Sequence, residues 1–447
     1  MDGTNLLVSV STNGGPADGI SSQPAMSADG RFVVFTSAAD NLVPGDANNA
    51  ADVFMRSLPD GPTVLVSVSA GGLGPGNGPS GAALISSNGN YVLFNSQATD
   101  LTGDSFGSET TNLFLRDLGA GMTYALTTGG VNSASMTPDG RLIAFTDLAG
   151  ASEGKIYIWD SQAAARISTN SISLWISAIS LSADGNKIVC LAGTNSTTPT
   201  KVGFVDRLTG TNALISSGYG SGSRVGLRFN ANGQFLAYAA APSAFGTNQI
   251  YVYDFQTHVE TLVSTAFGLT SGANASSDSP DISADGRYIA FRSFATNLMP
   301  GGDSNNVPDV FLYDRVSRTS TLLSGSGLTG GPADNRSRTP VFSPNGHTLF
   351  FQSWAPDLVP LDFNQSGDVL ALAFLYVSII PAGTPGVGPT LTWPNRPGET
   401  YQVQYKNALS EPAWQAVSGN VTITGNQASL TDLAPSSGVR FYRVVAF

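Results

Sequence analysis

One short turn recurs seven times along this chain, each time leading into an apolar strand. Ser27-Ala28-Asp29-Gly30-Arg31 precedes FVVF, Ser87-Asn88-Gly89-Asn90 precedes YVLFNS, and Thr137-Pro138-Asp139-Gly140-Arg141 precedes LIAFTD. The other copies end at Gly185, Gly233, Gly286 and Gly346, so the turn glycines lie 45 to 60 residues apart. An Asp-Gly or Asn-Gly pair reads as a two-residue hairpin turn, which needs positive φ at its centre. Each repeat is therefore expected to open with one antiparallel hairpin.

Each copy continues the same way. A third strand ends near an Asp, as in DVFMRSL at 52–58, KIYIWD at 155–160 and DVFLYD at 309–314. A fourth follows after a short turn, as in TVLVSVS, MTYALT and STLLSG. Four short strands per unit, repeated at this spacing, are the signature of a β-propeller. Apolar residues alternating along each strand would fit blades packed face to face. The lack of a sustained 3.6-residue period excludes a doubly wound α/β fold.

The seventh copy lacks a fourth strand, and Leu6–Val10 at the N-terminus matches Val64–Val68, the outer strand of the first copy. The N-terminal strand is thus expected to pair with 368–374, closing the ring and removing an open edge. After the Pro/Gly stretch 381–389 the repeat gives way to LTWP, TYQVQYK, NVTITG, ASLTDL and RFYRVVAF. The fold class expected is all-β: a seven-bladed propeller over 1–376 and a small β-sandwich over 377–447.

The SADGR turns, the strands ending in Phe35, Phe145 and Phe291, and the DVFxxD strands resemble the WD-repeat-like propeller of the TolB family over about residues 5–374. The C-terminal stretch resembles a fibronectin type III domain. The resemblance implies that Trp393 is its core tryptophan, and that Leu433, Pro435 and Tyr442 form its tyrosine-corner region.

Composition narrows function. The formal net charge of −11 over 447 residues argues against a nucleic-acid partner, because phosphate binding needs a basic surface. Hydrophobic residues make up 41%, enough for a large core, and charged residues only 12%, so polarity rests on Ser, Thr and Asn. The single cysteine, Cys190, reads as a buried apolar residue and leaves no intrachain disulfide. No signal peptide is visible at Met1-Asp2-Gly3-Thr4, and the longest apolar run, 369–380, is too short to span a bilayer.

Three repeats share a loop between their second and third strands. The triplets are Asp46, Asn48, Asp52; Asp303, Asn305, Asp309; and Asp362, Asn364, Asp368. Oxygen ligands at positions 1, 3 and 7 of a short loop suit Ca²⁺, and the competing reading is an Asx-turn that starts the strand. The sixth, seventh, first and second copies also carry long loops before their first strand, at 268–280, 327–340, 14–24 and 71–81. In a closed ring these four are neighbours, so one half of one face is built up by loops.

Catalytic residues are not expected. The two histidines, His258 and His347, fall in different repeats on the short-turn side, and no nucleophile–base pair is readable. Trp175 and Trp354 lie in or near loops and suit either core packing or stacking on a sugar. Arg228 and Asp281, each five residues before a turn glycine, are expected to form an ion pair near the channel. The function expected is non-enzymatic binding of a protein or surface partner through the loop-rich face, in an extracytoplasmic bacterial setting. The alternatives are a polysaccharide-binding or polysaccharide-active protein, and a structural subunit of an extracellular assembly.

Overall fold

The computed structural model describes residues 7–28, 30–58, 60–72, 74–107, 109–172, 174–193, 201–216, 226–243, 246–326, 331–343, 346, 348–358, 368–373, 377–381, 388–395, 399–408, 411, 413–425, 427–433 and 440–446. The chain divides into two compact units, 1–346 with 350–370, and 347–349 with 371–447. Among the described residues the repeats build six four-stranded antiparallel sheets and one three-stranded sheet, each with its strands in chain order. The first sheet runs Ser21–Met26, Phe32–Ser37, Asp52–Ser57, Thr63–Leu65, and the sixth Ser277–Ile282, Tyr288–Ser293, Asp309–Asp314, Thr319–Leu322. These are the blades of a β-propeller.

The two middle strands of a blade are buried on both faces, not on alternate residues as expected. In FVVFTS every residue after Phe32 is buried, and YIAFRS repeats the pattern. A blade lies between two neighbouring blades, so both of its faces are core and the run reads as continuously apolar. Val34, Val53 and Met55 of the first blade pack with Val92, Phe94 and Phe114 of the second. Leu93 and Leu115, pointing the other way, pack with Ile143 and Phe145 of the third. An aromatic pair sits in cross-strand register at the same place in several blades. Phe35–Phe54, Phe94–Phe114 and Phe291–Phe311 lie 5.9, 5.8 and 5.9 Å apart, near parallel.

The turn differs from the two-residue hairpin expected. Gly89 N–H donates to Ser86 O, and Ser86 N–H to Tyr91 O, which leaves four residues in the loop. Gly89 takes φ 77° as the third residue of this loop, not at the centre of a two-residue turn. The serine hydroxyl fixes the geometry: Ser86 Oγ donates to Asn88 Oδ1 and accepts Tyr91 N–H. Thr137, Ser182 and Ser283 act alike.

At the N-terminus, Leu6 lies outside the described residues and 7–10 carries no strand. Val10 instead forms an isolated antiparallel bridge with Pro16. The sheet Ser337–Phe342, Thr348–Ser353, Asp368–Ala373 has no fourth described strand.

In the C-terminal unit, one sheet takes the order Ser378–Ile380, Thr390–Pro394, Gln427–Thr431, Thr422–Thr424, and another Gln415–Ala416, Tyr401–Lys406, Phe441–Ala446. Trp393 is buried among Leu391, Val403, Val417, Ala428 and Leu430, as the sequence implied. Tyr442 OH donates to Asp432 Oδ2 at 2.8 Å, and Arg440 pairs with the same carboxylate. Pro435 lies outside the described residues. No helix among them is long and apolar enough to cross a membrane.

A further interaction recurs where the third strand begins. Ser264 Oγ, fully buried, accepts Ile250 N–H at 2.9 Å and donates to Gln249 Oε1 at 2.7 Å. Ser67, Thr127 and Ser324 do the same for Val53, Leu113 and Val310. Ser264→Ala strands the buried Ile250 amide, so urea unfolding is expected to show a loss of ~1–3 kcal/mol. Ser264→Thr, which copies Thr127 and keeps the hydroxyl, is expected to lose less than Ser264→Ala.

Candidate functional site

In the first, second and sixth blades the two long loops of each blade are held together by side-chain bonds. In the second blade Asn77 Oδ1 accepts Thr99 N–H, Asn77 Nδ2 donates to Thr99 Oγ1 at 2.9 Å, and Asp100 Oδ1 accepts Asn77 N–H. In the sixth, Asn274, Thr296 and Asn297 repeat all three contacts. In the first, Asp18 Oδ1 accepts Asp40 N–H at 3.1 Å and Asn41 Oδ1 accepts Asp18 N–H. In the seventh, Asp357 Oδ1 accepts Asp334 N–H. Backbone bonds add to the clamp, with Ala70 N–H on Asp100 O and Phe267 N–H on Asn297 O. The sequence showed long loops but not that they are pinned.

The metal-ligand residues read from the sequence are placed as follows. Asn48 Nδ2 donates to Asp52 Oδ2 and to Gly76 O, both at 2.8 Å, while Asn48 Oδ1 accepts Ala50 N–H. Asn305 makes the same set with Asp309, Ala333 O and Val307 N–H. Since Gly76 and Ala333 belong to the next blade's entry loop, the asparagine fastens one blade to the next. Asp52 and Asp309 also accept Ser67 and Ser324, at 2.7 and 2.5 Å. Asp362 and Asn364 lie outside the described residues, and Asp368 opens its strand. No group of three or more His, Cys, Asp or Glu side chains among the described residues closes into a metal cage.

Burial dominates the electrostatics of these carboxyls. It pushes Asp52 up to about 6 and Asp309 to about 7, against the donated hydrogen bonds that favour the anion, with Asp46 and Asp303 adding repulsion. Asp46 is also raised, first by burial and then by Asp40.

The inner strands show a second recurrent device. Gln23, Ala82, Ser279 and Thr339 take φ of 49 to 52° at equivalent bulges. Gln23 Oε1 then accepts Ala82 N–H from the next blade. Arg228 and Asp281 form the pair expected, at 3.8 Å, but Asp281 Oδ2 makes a closer contact, accepting Phe342 N–H from the next blade at 2.7 Å. Sequence reasoning missed the buried pair Asp278–Arg292, where Nε and Nη2 reach the two carboxylate oxygens at 2.8 and 2.6 Å. Its signal was register: Asp278 and Arg292 stand where the first blade has Ser22 and Thr36.

Half-buried Trp354 carries two guanidinium groups over its ring, Arg336 at 4.5 Å and Arg338 at 5.2 Å. Trp175 starts the strand Trp175–Leu181. His258 Nδ1 lies 3.3 Å from Tyr253 OH, and His347 lies outside the described residues.

No family model matches the chain, and no curated protein matches it. Among solved structures, the chain is similar to a prolyl endopeptidase, with 11% identity and a TM-score of 0.50, covering 85% of this chain and 55% of that one. It is also similar to the β-propeller domain of the trilobed protease from Pyrococcus furiosus, described as having an open velcro topology, with 10% identity and a TM-score of 0.45, covering 75% and 90%. A putative TolB from Agrobacterium tumefaciens matches at 17% identity and a TM-score of 0.35, covering 56% and 85%. Likeness at this identity shows the propeller fold and nothing of activity.

Asp52 and Asp309 set a pH dependence. Their folded values lie above the ordinary carboxyl value of 3.8, so the native state holds the extra protons. Their contribution is present at low pH and is lost as pH rises through about 6 to 7. In chelator-treated protein, the double variant Asp52→Asn, Asp309→Asn is expected to lose less stability than the parent between about pH 5 and about pH 8. Denaturant midpoints across that range are the measurement, and equal slopes would refute the assignment.

Proposed function

We propose that this protein is a non-enzymatic binding propeller that engages a protein or surface partner through the loop face of the sixth, seventh, first and second blades. The observation that carries this reading is the clamp between the two loops of one blade, made through Asn77 and Thr99 and through Asn274 and Thr296. A rigid scaffold presenting ordered loops is where binding residues gather. The pinned loops also hold large apolar side chains in solvent, with Ile20 82% and Leu269 63% exposed. The second reading, a glycan-binding face, is favoured by Trp354 with Arg336 and Arg338, a platform suited to an acidic sugar.

The ring reading belongs here too: seven blades, closed when the N-terminal segment supplies the outer strand of the seventh. Its support is repetition. The Val10–Pro16 bridge matches Val68–Pro75, Thr265–Gly272 and Gly325–Pro332, which follow the outer strands of the first, fifth and sixth blades. The likeness to TolB propellers, the fibronectin type III reading of the C-terminal unit and an extracytoplasmic location complete the proposal. The fibronectin reading rests on the strand order first, second, sixth, fifth in one sheet, which matches strands A, B, E and D when the fourth strand, in the other sheet, is counted as C′.

Photo-reactive residues test the face. Placed at Ile20 or Leu269 they are expected to capture the partner, and glycan arrays on the parent and Trp354→Ala report the second reading. Capture from Leu208 or Val316, exposed on the opposite turns, but not from the loops would overturn the face. Removing residues 1–10 is expected to lower the melting temperature, because a blade edge and its apolar face open to water. An unchanged melt would remove the closure.

A further inference from the structure

The seventh blade inverts a charge that the sixth blade satisfies. Ser337 Oγ donates to Ser353 Oγ at 2.9 Å, as Ser277 Oγ does to Ser293 Oγ in the sixth blade. On that register Arg338 and Gln352 stand where the sixth blade has Asp278 and Arg292. There the Asp278 carboxylate accepts Nε and Nη2 of Arg292 at 2.8 and 2.6 Å, and both side chains are buried. In the seventh blade a guanidinium takes the acid's place, and Gln352 across from it carries no charge. Arg338 Nε is buried with no hydrogen-bond partner. Arg141, Arg287 and Arg440 also meet an aspartate, whereas among the described residues neither Arg336 nor Arg338 makes an ion pair.

Strand and ring together bring the two cations to one place. Arg336 and Arg338 are two residues apart at the start of Ser337–Phe342, so they lie on one side of the chain. Trp354 N–H donates to Arg336 O at 3.1 Å, which sets the indole beside them. Both guanidiniums lie over its ring, 4.5 and 5.2 Å from the centroid. An arginine seated on an aromatic face keeps a planar fork of donors for a carboxylate. Two like charges held this close repel, and an anion shared by them removes the repulsion. Arg336 is exposed and Arg338 half-buried, so the pair opens to solvent from a partly dry floor.

We propose that Arg336, Arg338 and Trp354 hold a carboxylate of an acidic polysaccharide, with Arg338 taking it through Nε and an Nη as Arg292 takes Asp278. The proposal rests on the glycan-binding reading and narrows it to uronate chains. A sugar suits the place better than an acidic peptide because the aromatic recurs. Phe294 N–H donates to Ser276 O as Trp354 N–H does to Arg336 O, and Phe294 is 42% exposed. Neighbouring blades thus present an aromatic at the same strand end, spaced for the C–H faces of successive rings. The net charge of −11 does not oppose an anion here, because at physiological salt charges beyond about 8 Å are largely screened.

Titration calorimetry of the full chain with alginate, neutral dextran and poly-glutamate tests the site. Alginate is expected to bind and the other two are not. Arg338→Gln is expected to weaken alginate binding ~10-fold or more, since hydrogen bonds between charged groups are lost. Gln352→Asp sets an acid across from Arg338, in the manner of the sixth blade. It is expected to abolish alginate binding while the melting temperature holds or rises. Arg318→Gln, which removes an exposed charge from the opposite turns, is expected to leave binding unchanged. Alginate affinity unchanged in both Arg338→Gln and Gln352→Asp would overturn the site. Binding of dextran alone, lost in Trp354→Ala, would overturn the carboxylate subsite and keep the glycan reading. No binding of either saccharide would overturn both. Poly-glutamate bound as tightly as alginate would overturn the assignment to a sugar.

Discussion

In five of the blades a single hydroxyl holds the third strand to the chain that follows. Val53, Leu113, Val202, Ile250 and Val310 each donate their amide to the Ser or Thr hydroxyl fourteen residues on. The third strand starts inside the core, and the amide of its second residue is buried. A buried amide left unsatisfied costs more than a hydrogen bond normally returns. The hydroxyl answers this as acceptor and still has a proton to give. It gives that proton to Asp52, Asn112, Gln249 or Asp309; Asn112 and Gln249 reach the entry loop of the next blade themselves, and Asp52 and Asp309 are bonded to Asn48 and Asn305, which do. Gln249 shows the whole chain of contacts, with Oε1 accepting Ala273 N–H and Nε2 donating to Ala273 O. The acceptor at this position can be charged or neutral, which is why Asp, Asn and Gln alternate there.

The inner edge of each blade poses the same problem with a different answer. An innermost strand has a neighbour on one side only, and its free amides point toward the channel. Side chains from the preceding blade cover them: Ser133 and Ser135 accept Ile179 and Leu181 N–H, and Asp281 accepts Phe342 N–H. This changes the meaning of the Arg228–Asp281 pair. At 3.8 Å, with Arg228 60% exposed, it contributes little beside the 2.7 Å bond to Phe342. The carboxylate is an edge cover first and an ion-pair member second.

The sequence carried the fold because the propeller depends on local patterns repeated at fixed spacing. The turn Ser and Gly, the apolar runs and the paired aromatics Phe35–Phe54 and Phe291–Phe311 are all visible in one dimension. What it did not carry was contact between positions of different blades. Asn48 reads as a calcium ligand by spacing, yet its amide reaches Gly76, twenty-eight residues on. Asp278 and Arg292 pair only because an inner strand bulges and sets the two side by side. The alternation expected within strands failed for a related reason: a strand between two neighbouring blades has no solvent face.

Divergence between blades is then the place to look for activity. The Asx clamp is an internal standard, since Asn77–Thr99 and Asn274–Thr296 show what the loop needs when it only has to be rigid. The sixth blade departs from its neighbours by adding opposite charges, Asp278 and Arg292, which satisfy each other in a dry site. The first blade departs by adding like charges, Asp18 and Asp40, which do not. In the first blade only the backbone half of that clamp is kept, with Asp40 N–H on Asp18 Oδ1.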